Sequence, residues 1–139
     1  MKTTSILFAA TVLVPALASA ADHDLGGLAK ANKIEVFNRT LDQTEAGSPQ
    51  AVFLNDASDD GLAWIAGVEL SEGTIELEIK GKNQQGRSFV GIAFHVNGSD
   101  VPALTVELLN ERLKGKVGLW VGNGSDGWFR NLKVIPAGK

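Results

Sequence analysis

From Ile34 onward, hydrophobic and polar residues alternate in short runs separated by glycine, asparagine and proline. The most regular run is Thr74-Ile-Glu-Leu-Glu-Ile-Lys80, with Ile75, Leu77 and Ile79 on one face and Thr74, Glu76, Glu78 and Lys80 on the other. Period two marks an antiparallel strand with one buried face, whereas a helix would scatter these residues around its axis. Ser88 to Val96 repeats the pattern, setting Val90, Ile92, Phe94 and Val96 opposite Phe89, Gly91, Ala93 and His95. The turn Gly81–Gly86 between the two runs predicts a hairpin. Further strands are predicted at Ile34–Phe37, Ala51–Leu54, Leu62–Val68, Ala103–Leu108, Gly115–Val121 and Trp128–Ile135. Turn clusters at 47–49, 55–61, 97–100 and 123–127 separate them, and 110–114 has room for a single helical turn. Seven or eight strands with turn signals at this spacing predict an all-β antiparallel sandwich, one domain spanning 33–136.

Two segments precede that domain. Residues 1–20 carry Lys2, an apolar run from Ile6 to Val14, and the small-residue stretch Ala18-Ser19-Ala20. This is the grammar of a secretory signal peptide cleaved after Ala20. The run is interrupted by Thr11 and Pro15 and falls short of the ~20 apolar residues a membrane-spanning helix needs. The expectation is an exported protein, periplasmic or extracellular, with no membrane attachment once the signal is removed. Residues 21–32, ADHDLGGLAKAN, read as a flexible leader because of their glycine and alanine content.

Composition narrows the chemistry. The chain has 139 residues and a formal charge of −3, so it lacks the basic surplus of a nucleic-acid-binding surface. The absence of cysteine excludes disulfides, thiolate metal sites and a cysteine nucleophile. His23 and His95 are too few for a three-histidine metal centre, and no metal-ligand set is expected. Asp56-Ala-Ser-Asp-Asp-Gly61 matches the opening of an EF-hand loop, but the twelfth position is Gly67 where a bidentate glutamate belongs. A looser Ca²⁺ site and a plain acidic turn both remain open there, and no other cofactor is indicated.

Four residues stand out as candidates. Glu76 and Glu78 project from one strand face about 6.5–7 Å apart, a spacing open to paired-carboxylate glycoside hydrolysis and equally natural for a solvated strand face. His95 shares a face with Gly91 and Ala93, small residues that leave space above the sheet, and its ordinary pKa suits acid–base work. Trp120 faces away from Val117, Leu119 and Val121 and is flanked by Gly118 and Gly122, as either a sugar-stacking platform or a ring lodged over glycines. Trp64 and Trp128 read as core residues.

Five runs in order carry a family resemblance: Gly61–Ile65, Gly73–Lys82, Ser88–His95, Gly115–Gly122 and Gly127–Val134. Together they resemble the 3-keto-disaccharide hydrolase domain family, over about Ile34 to Ile135. The resemblance implies a jelly-roll sandwich of the concanavalin A-like lectin/glucanase type, export, and a concave sheet face on which Glu76, Glu78, His95 and Trp120 would lie. In that family several more strands, including an arginine-bearing Tyr-Phe-Arg-Pro-Phe segment, follow the strand resembling Ser88–His95. Here His95 runs directly into Val96-Asn97-Gly98, so the sandwich is incomplete relative to the family. Strands missing from a sheet interior leave unpaired edges, which predicts a chain that either forms a homodimer through those edges or is only marginally stable. Three functions stay open. The first is a lectin-like protein binding a carbohydrate through Trp120, His95 and Glu78. The second is a hydrolase of keto-glycosides using Glu76, Glu78 and His95. The third is a structural module with no small ligand.

Overall fold

A computed structural model describes residues 19–96 and 115–138. In chain order the elements are β1 (Ala21–His23), α1 (Leu25–Lys30), β2 (Ile34–Phe37), β3 (Leu41–Asp42), β4 (Val52–Leu54) and β5 (Gly61–Leu70). They continue with β6 (Gly73–Gly81), β7 (Val90–Val96), β8 (Gly115–Val121) and β9 (Gly127–Pro136). The first sheet is organised on β9, which pairs with β6 along one edge and with β4 and then β1 along the other; β3 extends beyond β4. The second sheet runs β2-β5-β8-β7, and every pairing in both sheets is antiparallel.

The alternation seen in the sequence decides which side chains meet between the sheets. Val52, Leu54, Phe129, Leu132 and Val134 from the first sheet pack against Ala63, Ile65, Val117, Leu119 and Val121 from the second. Each fully buried aliphatic or aromatic side chain of this kind contributes about 1.5–3 kcal/mol. That layer is the source of stability in a chain with no disulfide. The protein is therefore an all-β antiparallel sandwich, as its periodicity predicts.

Three expectations change. Residues 21–32 are not a loose leader. β1 pairs with β9 through Ala21↔Val134 and His23↔Leu132, and α1 buries Leu25 completely in the core. Asp24 caps the helix, its carboxylate accepting the Gly27 amide at 3.1 Å. The glycine that suggested looseness is there for contact: a Cβ on Gly26 would lie 1.8 Å from the Pro49 carbonyl oxygen.

β6 and β7 do not form a hairpin. They belong to different sheets, β6 beside β9 and β7 beside β8. Hairpin loops are usually 2–5 residues; here residues 82–89 intervene, long enough to arch from one sheet to the other. The Ser88 hydroxyl closes that arch by bonding the Lys82 and Gln84 carbonyls, and the Phe89 amide donates to Ser125 Oγ at 3.0 Å.

Trp128 is not in the core either, because its neighbour Phe129 takes the inward position. The strand expected at 103–108, the helical turn at 110–114, the turn at 97–100 and residues 1–18 of the signal segment lie outside the described residues.

Candidate functional site

The outer face of the first sheet collects most of the chemistry. Register sets Lys80 beside Trp128, Glu78 beside Arg130, and Glu76 beside Lys133, while Trp128 faces Phe53 across β4. The Trp128 and Phe53 rings pack with centroids 4.7 Å apart at 42°. The indole Nε1 donates to the Glu45 carbonyl at 2.9 Å, which fixes the ring, and Lys80 Nζ stands 5.1 Å above it. Beside the ring opens a cavity of about 630 Å³, lined by Ala46, Ser48, Glu78, Lys80, Trp128 and Arg130 among others.

Glu78 is held by two consecutive residues of β9. Arg130 Nε donates to one oxygen at 2.5 Å and Asn131 Nδ2 to the other at 2.8 Å. Both reach it because β9 bulges here: Glu76 pairs with Lys133 but Glu78 pairs with Arg130, and Asn131 takes a left-handed φ of 55°. The hydrogen bond from Asn131, followed by that from Arg130, keeps the Glu78 carboxyl below its usual range. A general acid must carry a proton at working pH, so Glu78 is set up as a fixed anion that orients Arg130.

The remaining predicted residues lie elsewhere. Glu76 is on the same face of β6 as Glu78, beyond the bulge and opposite Lys133. Trp120 belongs to β8 in the second sheet, opposite Leu62 and Gly91, and packs half-buried against Leu62, Trp64 and Ala93. Trp64 is 8% exposed, under the Lys116 ammonium at 5.2 Å. Trp120 and Glu78 thus sit on the outer faces of opposite sheets, with the core between them. His95 lies in β7 at a register shift between Phe94 and Val96. Of the four predicted residues, the fold brings together Glu76 and Glu78 alone. Trp128, Phe53, Lys80 and Arg130 join them unpredicted. The alternation of Trp128 with Phe129 was the available signal, since only one of two adjacent strand residues can face inward.

A second cluster closes one end of the sandwich. The Arg39 guanidinium donates to the carbonyls of Asn38 (2.5 Å), Ala57 (3.3 Å), Asp59 (2.6 Å) and Gly122 (3.1 Å). Asn38 Nδ2 adds bonds to Ser58 and Asp60, and Asn123 Oδ1 accepts the Asp59 amide. Lys82 bonds the buried Asp126 at 2.8 Å and lies 3.9 Å from Asp56. Carbonyls of the acidic turn therefore point at a side-chain cation. Among the described residues no group of three or more His, Asp or Glu side chains has the arrangement to hold a metal ion.

Comparison of the chain with family models, curated proteins and solved structures gives no match. Its candidate site rests on geometry.

Proposed function

We propose that the protein is an exported carbohydrate-binding protein whose glycan lies on the outer face of the first sheet, against Trp128. A pyranose ring offers an apolar C–H face edged by hydroxyls. Trp128, packed against Phe53 with centroids 4.7 Å apart, supplies an apolar surface, while Glu78, Arg130 and the Lys80 ammonium over the ring supply acceptors and donors. Small-molecule sites typically combine an apolar floor with a few convergent polar groups. The Trp128 indole is already fixed by the Glu45 carbonyl and the Glu78–Arg130 pair is already formed, so little side-chain freedom is lost on binding. Export follows from the signal-peptide pattern of residues 1–20, and the resemblance in the strand runs points to the same class of ligand.

The observation that carries this reading is the Trp128–Phe53 ring pair beside an open, mainly apolar cavity that Glu78, Lys80 and Arg130 also line. A glycan array probed with the mature protein tests it, together with Trp128→Ala and Trp120→Ala variants. Binding that is lost in Trp128→Ala and kept in Trp120→Ala is expected. No binding by the parent refutes the function, and loss in Trp120→Ala alone refutes the location.

A further inference from the structure

We propose that two copies of the chain join edge to edge through β6, making the first sheet continuous across a dimer. Among the described residues β6 pairs with β9 only, so its other edge carries a row of backbone donors and acceptors. Apolar exposure is concentrated on the same side of the sandwich. Of the four exposed large hydrophobic residues among the described residues, Ile79 (38%), Phe89 (54%) and Phe94 (60%) belong to β6, the arch after it and β7.

The charges of β6 identify a second copy as the occupant and select the register. In an antiparallel pair, directly opposite residues share a face and interact. A two-fold axis at Leu77 would set Glu76 against the other copy's Glu78 twice, a like-charge contact. An axis at Ile79 would shorten the ladder to 77–81. An axis at Glu78 keeps 75–81 paired and sets Glu76 opposite Lys80 and Leu77 opposite Ile79, each twice. Only Glu78 then meets itself, and each of those carboxylates is already held by Arg130 and Asn131. A strand whose charges complement its own reversed copy is matched to itself. Opposite residues share a face, so the two Trp128 surfaces come to lie on one side of the joined sheet; the dimer itself does not depend on any ligand.

Sedimentation of the mature protein tests the association, and engineered cysteines test the register in a chain that has none of its own. The parent is expected to sediment at twice the monomer mass. Glu76→Lys and Lys80→Glu should each shift it to the monomer, and the double swap should restore the dimer. Glu76 and Lys80 are exposed, and an unchanged circular dichroism spectrum separates lost pairing from lost folding. Under mild oxidation a mixture of Glu76→Cys and Lys80→Cys proteins should form a covalent dimer, while a mixture of Glu76→Cys and Glu78→Cys should not. A parent that stays monomeric overturns the proposal, whether the edge is open or covered by another part of the same chain. Single swaps without effect, or crosslinking between positions 76 and 78 instead, also overturn it.

Discussion

Arg39 reaches Gly122, 83 positions further along the chain, with a guanidinium hydrogen bond of 3.1 Å to its carbonyl oxygen. The same guanidinium holds Ala57 and Asp59, so one side chain joins the β2–β3 loop, the acidic turn before β5 and the turn after β8. Three connections from different parts of the sequence are thereby fixed to one another by one side chain.

Removing that clamp is expected to be costly. Arg39→Ala should lower unfolding stability by about 2–3 kcal/mol in urea titration, since hydrogen bonds from a charged donor contribute ~1.5–3 kcal/mol each and water replaces part of them. Gly61→Ala should act on the same feature, because a Cβ there would lie 2.3 Å from Arg39 Cγ. The two substitutions combined should cost less than their sum.

Lys82 and Asp126 form the most enclosed ion pair among the described residues, with Asp126 only 4% exposed. Lys82→Met leaves that carboxylate without its cation and should lower the urea midpoint; adding Asp126→Asn should recover most of the loss. The hydrogen bond to Asp126 raises the Lys82 pKa above its ordinary 10.5. A raised folded value means the pair's contribution is complete below the ordinary value and fades as pH rises through the folded one. Stability measured across alkaline pH should fall more steeply in the parent than in Lys82→Met.

His23 titrates in the opposite sense. Burial lowers its pKa below 6.5, against a smaller upward pull from Asp22. Its contribution is therefore present above the ordinary value and lost as pH falls through the folded value. β1, which pairs with β9 through His23, should loosen first under mild acid. Protection of the 21–23 amides, corrected for the intrinsic slowing of exchange in acid, should fall as pH drops below neutrality, and His23→Gln should abolish that dependence.

Trp128 and Phe129 are adjacent in β9 and face opposite ways, one onto the outer sheet surface and one into the core. Phe129→Ala should cost about 3–5 kcal/mol of stability through the cavity it leaves. Trp128→Ala should cost about 1–2 kcal/mol, in keeping with partial burial, while removing glycan retention. Urea unfolding and affinity electrophoresis on both variants separate the two roles.

The sequence by itself determined the all-β class, most of the strand positions and most of the inward faces, that of β9 excepted. Each is a local property: alternation between polar and apolar residues decides which side of a strand is buried wherever that strand lies. The Ile75/Leu77 and Val117/Leu119/Val121 faces follow directly from this rule. Strand partnership is not local. The arch at 82–89 resembles a hairpin turn in composition, and only packing decides that β6 joins β9 and β7 joins β8. The candidate site was hidden for the same reason. Glu78, Arg130 and Phe53 come together because β9 lies between β6 and β4, with a bulge that turns two of its residues onto one carboxylate. Tertiary structure alone decided that arrangement, since pairings so distant in sequence are set by how two apolar faces close on each other.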